Sequence, residues 1–264
     1  MFPILFSIGP VHIYSFSVFL VLAWLVFSFL FWKLLRSNGT PEDKIFDLTF
    51  YATIVASISA RGLFVVLHWE LFRDTLLKIV ALWVQPGLSL YGAFLGGIMT
   101  LVSMSRSWKV RLGQVLDAIA IAFPSALVIG YIGSFLDGAE VGKIVDLPWA
   151  IRYVGQVGRR HPVQIYEIIV TIIILAVVLV LQNKSVKEKW PYGLLGIWFF
   201  ILYSLGMFVL EFMKDSHVYW MSLSANQWIL IGVFAEALGA FYVRGGGKES
   251  VRQIFRSLQQ KLKR

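Results

Sequence analysis

The chain of 264 residues is strongly apolar, with 58% hydrophobic residues and a mean hydropathy of +0.74. That composition leaves too little polar surface to solvate a globule of this size, which excludes an ordinary water-soluble protein. The absence of cysteine excludes disulfides, thiolate metal sites and cysteine nucleophiles, and the four histidines lack zinc-ligand spacing, so we expect no metal and no cofactor.

Seven apolar runs are long enough to cross a bilayer, whose hydrocarbon core of about 30 Å needs roughly 20 helical residues. They lie at residues 12–32, 47–67, 88–104, 115–135, 163–182, 191–213 and 226–243. The third run is the shortest. We therefore predict an all-α, polytopic integral membrane protein with about seven transmembrane helices, and we treat residues 1–264 as a single transmembrane domain because no repeat or linker divides them.

Two further segments have amphipathic patterns. Between the second and third runs, Glu70, Arg73, Asp74 and Lys78 recur at helical spacing beside apolar residues, which predicts an interfacial helix over residues 70–84. Residues 249–264 carry one apolar stripe opposite basic residues. That pattern predicts a basic amphipathic tail on the anionic inner leaflet, with a solvated helical tail as the alternative.

The net charge of +9 is distributed unevenly between the two sets of connecting loops. The loops after the first, third, fifth and seventh runs hold 16 of the 24 Lys and Arg residues, and the opposite loops hold seven. Cytoplasmic loops retain positive charge, so we predict an N-terminus outside and a C-terminus in the cytoplasm. Because topology explains this charge, we expect no nucleic acid among the partners.

Polar residues concentrate where the fourth run ends and the fifth begins. Residues 130–142 read GYIGSFLDGAEVG, and residues 161–167 read HPVQIYE. Gln164 and Glu167 fall three residues apart on one helix face, with His161 just before them. Such groups in a membrane usually face a bundle interior or an aqueous cavity, and helix capping or interhelical hydrogen bonding is the alternative.

These blocks resemble the bacterial prolipoprotein diacylglyceryl transferases, and the resemblance runs in order along nearly the whole chain. Residues 130–142 align without a gap with that family's signature G-R-I-G-N-F-x-N-x-E-x-x-G. Further similar segments lie at residues 9–14 (GPVHIY), 60–61 (AR), 86–97 (PGLSLYGAFLGG), 146–150 (DLPWA), 161–167 and 208–212 (FVLEF).

The resemblance implies transfer of a diacylglyceryl group from phosphatidylglycerol, or another membrane phospholipid, to the lipobox cysteine thiol of a preprolipoprotein, at the outer face of the bacterial inner membrane. It implies roles near the chemistry for Tyr14, Tyr91, His161 and Glu167. It implies substrate contacts for polar and small residues of the same blocks, namely Tyr131, Ser134, Gly142, Gln164 and Glu211. Beside them, Arg61, Arg152, Arg159 and Arg160 are candidates for phosphate contacts, with headgroup-facing charges as the alternative for Arg159 and Arg160.

The sequence departs from the family pattern at five positions. They are Tyr91 in place of a histidine, Tyr131 and Met207 in place of arginines, Ser134 in place of an asparagine and Ala139 in place of a glutamate. Glu140 is adjacent to the last of these, but one helical step rotates a side chain by about 100°, so it can substitute only if this stretch is not helical.

Two other functions remain open from the sequence. One is a catalytically inactive family member that binds lipid or lipoprotein segments. The other is a transporter, although paired broken helices typical of many carriers are not evident.

The sequence also leads to two expectations about contacts. Arg61 lies inside an apolar run, so we expect it to pair, with Glu167 and Glu211 as candidate partners. We further expect one shared cavity near the outer leaflet, lined by polar side chains of the third, fourth and fifth runs: Tyr91, Tyr131, Ser134, His161, Gln164 and Glu167.

Overall fold

The computed structural model of the chain describes residues 3–8, 11–138, 140–216 and 218–244. Seven α-helices make up most of these described residues: α1 Ser15–Ser37, α2 Glu42–Leu67, α3 Leu90–Ser107, α4 Leu112–Asp137, α5 Val163–Lys187, α6 Leu194–Glu211 and α7 Ala225–Arg244. Two short antiparallel pairs join strand β1 (Ile4–Ile8) to β2 (Val11–Tyr14) and β3 (Val218–Trp220) to β4 (Leu223–Ser224). The predicted all-α class is confirmed.

Within the described ranges, six of these helices are long and apolar enough to cross a membrane, and α3 is the helix that is not among them. Its 18 residues coincide with the third predicted run, but they include three glycines, three serines and Arg106, which lower its hydropathy. The sequence prediction included α3 because the run is bounded by charged clusters, although the mean hydropathy of α3 is lower than that of the other six helices.

The apolar faces of these helices point away from the protein interior. In α5, Gln164, Glu167 and Thr171 are buried, whereas Ile173 and Val180 are exposed. A helix in water shows the reverse arrangement, with its polar face outside. The polar interior and apolar exterior of α5 are those of a helix surrounded by lipid.

The chain forms two compact units, Ser28–Val115 and a second unit made of Met1–Phe27 with Leu116–Arg264. In the first unit, α3 lies close against α2 because Gly92 and Gly96 have no side chain; a Cβ at Gly92 would lie 2.5 Å from the carbonyl oxygen of Ser59. The single transmembrane domain inferred from the sequence stays a prediction.

In the second unit, α5 packs on α6 and α6 packs on α7. The start of α6 is held by α4, since the carboxylate of Asp117 accepts the backbone N–H groups of Gly193 and Gly196 at 2.8 and 2.9 Å. These N–H groups belong to the first turn of α6, where no intrahelical acceptor exists. A partly buried carboxylate thus fixes where α6 begins.

Residues 70–84 differ from the single amphipathic helix predicted for them. They contain turns and two short 3-10 helices, Trp69–Leu71 and Leu76–Ile79. A continuous α-helix would use the carbonyl groups of Lys78 and Ile79 internally, and both instead accept hydrogen bonds from Arg61. The predicted tail helix at residues 249–264 lies outside the described residues.

Candidate functional site

A buried lysine joins three carboxylates in the second unit. The Nζ atom of Lys214 lies 2.7 Å from Glu140 Oε2, 2.7 Å from Glu167 Oε1 and 3.6 Å from Glu211 Oε2. The side chains of Lys214, Glu167 and Glu211 are 9%, 2% and 1% exposed, whereas that of Glu140 is 45% exposed. We call these four residues the Lys214 cluster.

The cluster forms where four chain segments end or turn. Glu167 lies in the first turns of α5, Glu211 is the last residue of α6, and Lys214 follows it by three residues. The turn after α6 pairs with the loop after α4, because Lys143 N–H donates to Met213 O and Asp215 N–H donates to Val141 O, both at 2.9 Å. This pairing brings the loop that carries Glu140 onto the lysine.

Glu140 meets the condition that the sequence set for it. Helix α4 ends at Asp137, and Gly138 follows with a φ of +72°, a conformation that favours glycine. Glu140 therefore lies beyond the helix, so the 100° rotation between adjacent helical residues does not apply to it. Its side chain reaches Lys214 from the loop.

The three carboxylates of the cluster are satisfied to different degrees. Glu211 Oε1 accepts hydrogen bonds from Ser216 and Ser224 and from Asn226 Nδ2 at 2.9 Å. Glu167 Oε1 relies on Lys214, and its Oε2 is buried without a hydrogen-bond partner among the described residues. Because an unpaired buried charge is costly, the lysine is the group that makes a carboxylate at position 167 tolerable.

Gln164 connects the cluster to the outer loop. It is fully buried, its Nε2 donates to the backbone carbonyl of Glu140, and its Oε1 accepts the hydroxyl of Tyr153 at 2.9 Å. Burial, together with the negative charges of Glu140 and Glu167, raises the pKa of Tyr153 to about 12. Tyr153 is therefore a hydrogen-bond donor at neutral pH.

Arg160 and Gly142 hold the loop in place. The guanidinium of Arg160 lies 2.8 Å from Asp215 Oδ2 and 3.1 Å from the carbonyl oxygen of Gly142, and its side chain is buried. A Cβ at Gly142 would lie 2.3 Å from the carbonyl oxygen of His161, so only glycine fits there. In contrast, Arg152 and Arg159 are exposed.

His161 lies beside the cluster rather than in it. Its Nδ1 is 3.3 Å from the hydroxyl of Tyr166, which also accepts the indole N–H of Trp149 at 2.7 Å. Two further predicted site residues have other surroundings: Tyr14 is half exposed on β2, and Ser134 is buried in α4.

Arg61 and Tyr91 belong to the first unit. Arg61 donates to the carbonyl oxygens of Lys78, Ile79, Gln85 and Gly87 at 2.6 to 2.8 Å, and its guanidinium lies 5.0 Å from the ring centroid of Phe72. The expected pairing with Glu167 or Glu211 is thus corrected: backbone carbonyls accept the arginine, and those glutamates bond Lys214. Tyr91 is buried in α3.

The model of the prolipoprotein diacylglyceryl transferase family matches residues 3–243. The chain belongs to that family. Proteins named phosphatidylglycerol–prolipoprotein diacylglyceryl transferase are similar to it: that of Aeromonas salmonicida is 27% identical over 85% of this chain and 83% of its own. The Wolbachia pipientis protein is 29% identical over 87% and 89%, and the Pediococcus pentosaceus protein is 26% identical over 95% and 92%.

Membership of the prolipoprotein diacylglyceryl transferase family, together with the six apolar helices, makes the chain a multi-pass protein of the bacterial inner membrane. Two of its five departures from the family pattern meet in space. The hydroxyl of Tyr131 donates to Met207 Sδ at 3.8 Å and also hydrogen-bonds Tyr203. Both positions have arginine in that pattern. The residues that replace those two arginines therefore contact each other in this protein.

The structure brings Glu140, Glu167 and Glu211 together around Lys214, and Gln164 bonds the backbone carbonyl of Glu140. Sequence reasoning missed Lys214, Tyr153 and Asp215. Lys214 had a detectable signal, because it follows Glu211 at the i+3 spacing of helical ion pairs. Tyr153 and Asp215 carried none, since their partners are 11 and 55 residues away. The six-residue shared cavity stays a prediction.

Proposed function

We propose that this protein transfers a diacylglyceryl group from phosphatidylglycerol to the cysteine thiol of a prolipoprotein lipobox. The thiol sulfur attacks the glycerol carbon that bears the phosphate ester, the C–S bond forms and the C–O bond breaks. Glycerol phosphate leaves with the bonding electrons, and the thiol proton passes to a base. The relatives' names, which specify both substrates, support this reaction for the chain.

The observation that carries the proposal is the Lys214 cluster. A transferase of this type needs a proton acceptor near the thiol and positive charge near the leaving phosphate. Glu140 is the half-exposed carboxylate of the cluster, and Lys214 fixes it at 2.7 Å. We assign it the thiol proton. Glu167 and Glu211 hold the lysine from the buried side.

Lys214 also supplies a buried cation in a chain that lacks two arginines of the family pattern. It lies seven residues after Met207, on the turn that continues α6. Its charge interacts electrostatically with Tyr203, which hydrogen-bonds Tyr131 at the position of one missing arginine. Lys214 can therefore supply the positive charge that an active enzyme needs in the absence of those arginines. No specific observation favours the inactive alternative.

The other predicted site residues have supporting parts in this proposal. Gln164, Gly142 and Arg160 position the loop that carries Glu140. Ser134 and Tyr131 are buried residues of α4, the helix that precedes this loop. His161 is a second candidate for the proton, because its ring is only partly buried and Tyr166 orients it. Tyr14 and Tyr91 are proposed to contact substrate, and Arg61 is proposed to position the backbone of residues 78–87.

We also propose that the N-terminus faces outward and the C-terminus faces the cytoplasm, as the Lys and Arg distribution predicts. This requires α3 to be a seventh crossing, and its 18 residues span about 27 Å as an α-helix. Since the chain has no cysteine, an Asp146→Cys variant, at an exposed position of the loop between α4 and α5, is uniquely labelled. A membrane-impermeant maleimide should label it in intact spheroplasts. Labelling only after permeabilisation would contradict the proposed orientation.

The decisive test is a transferase assay with phosphatidylglycerol and a lipobox peptide. Wild type should release glycerol phosphate and lipidate the thiol. Glu140→Gln should reduce turnover by about 10² or more, as loss of a positioned base does. His161→Ala separates the two candidate bases, and Glu188→Gln, an exposed carboxylate at the end of α5, is the matched control. Wild-type turnover at background would refute the transferase and leave the lipid-binding alternative.

A further inference from the structure

Residues 151–160 form a narrow hairpin in the loop between α4 and α5. Ile151 N–H donates to Arg160 O at 3.1 Å, and Arg160 N–H donates to Ile151 O at 2.8 Å. In the turn, Gln156 N–H donates to Tyr153 O at 3.1 Å, and Gly155 has a φ of +77°. This register puts Arg152 opposite Arg159 as the next pair toward the turn.

Alternation along paired strands places Arg152 and Arg159 on one face of this hairpin, opposite Ile151 and Arg160. The burial agrees, because Arg160 is buried against Asp215 whereas Arg152 and Arg159 are exposed. Directly opposed like charges destabilise a strand pair. Opposed residues of a strand pair have Cβ atoms about 4.5–5.5 Å apart, so both guanidinium groups can reach one phosphate, which each can bind through two N–H donors.

The tip of the hairpin is apolar and unburied. Val154 and Val157 are 85% and 81% exposed. The tip thus carries exposed valines, and the arginines lie next to them along the hairpin. A segment that enters a lipid interface has the same order, with apolar groups in the acyl region and cations at the phosphates. The hairpin therefore carries both parts of a headgroup site.

We propose that this hairpin docks on the outer leaflet, with Val154 and Val157 among the acyl chains and Arg152 and Arg159 on either side of a phospholipid phosphate. The choice of phosphatidylglycerol as that lipid rests on the proposed function. The hairpin then holds the donor lipid beside the loop that Gln164 and Tyr153 connect to Glu140. It raises the local concentration of the donor and takes no part in bond making.

Binding tests the arginine pair without any turnover. A fluorescent short-chain phosphatidylglycerol is titrated into the detergent-solubilised protein, into Arg152→Gln/Arg159→Gln, and into Lys187→Gln/Lys189→Gln as a control of equal charge at the far end of α5. The Kd should rise roughly tenfold in the first variant only. An unchanged Kd, an equal rise in the control, or full displacement by soluble glycerol phosphate would each overturn the proposal.

Depth tests the valine tip. A nitroxide on Val157→Cys in nanodiscs should be relaxed by oxygen rather than by a water-soluble nickel complex, and the same label on Lys187→Cys should show the opposite preference. Nickel access at Val157 would overturn the docking. Because neither readout uses catalysis, an inactive wild type would refute the transferase while both measurements still decide the hairpin's role.

Discussion

Replacing Lys214 by methionine isolates the energetic role of the buried cation. Methionine keeps most of the length and volume of lysine, so packing changes little and the charge is lost. The lysine bonds Glu167 and Glu140 at 2.7 Å and lies 3.6 Å from Glu211. The cost of the substitution is the sum of what each carboxylate loses.

The three carboxylates lose unequal amounts. Glu140 is half exposed and returns to water, which limits its share to about 0–1 kcal/mol. Glu211 keeps three hydrogen bonds through Oε1, and only its Oε2, which has no hydrogen-bond partner among the described residues, loses the lysine. Glu167 loses its bonding partner in a fully buried position, and breaking such a pair costs about 3–5 kcal/mol. Most of the loss therefore comes from Glu167.

This attribution gives a double-mutant test. Lys214→Met should lower the midpoint of thermal unfolding by on the order of 10 °C, and adding Glu167→Gln should restore much of it because the stranded charge is gone. Intrinsic fluorescence from the ten tryptophans reports unfolding in detergent. Lys187→Met, which replaces an exposed lysine at the end of α5, is the control. Equal midpoints for Lys214→Met and Lys187→Met, or no recovery in the double variant, would refute the reasoning.

Three further predictions concern fold and pH. Asp117→Ala should destabilise by about 1–2 kcal/mol, since two N–H groups of α6 lose their acceptor, and an unchanged unfolding midpoint would contradict this. Gly142→Ala should cost about 1–3 kcal/mol through overpacking, whereas Gly130→Ala, with no atom within 4 Å of its Cβ, should cost nothing. Tyr153, whose pKa rises from 10.0 to about 12 on folding, makes a contribution to stability that should be constant below pH 10 and be lost between pH 10 and about 12; Tyr153→Phe should remove that part of the loss.

The helices were predictable because lipid imposes one requirement on every span. A run of apolar residues about as long as the hydrocarbon core is thick must satisfy its backbone internally, and that rule located all seven α-helices. It could not decide whether α3 crosses, because glycines that allow close packing on α2 also lower its hydropathy. Nor could periodicity find the irregular fold of residues 70–84, since one distant arginine competes for their carbonyl groups.

The site was predictable only where its residues occur in motifs. Gln164, Glu167 and Glu211 could be named in advance. The i+3 spacing indicated the pairing of Lys214 with Glu211, but nothing local linked Lys214 to Glu140 or Glu167. The pairing of residues 141–143 with residues 213–215 makes it a buried group, and that pairing joins segments about 70 residues apart. Local patterns carry no information on such a contact.

The replaced arginines illustrate why departures from a motif need a structure. Considered singly, Tyr131 and Met207 are each the loss of a cation and count separately against activity. In the structure the two side chains contact each other, and the hydroxyl of Tyr131 also hydrogen-bonds Tyr203. The two replacements therefore fill one buried region with weakly polar groups. A single arginine beside the other replacement would be a buried, unpaired cation, costly by several kcal/mol. The two changes are therefore tolerable as a pair, and the positive charge near the carboxylates comes from Lys214.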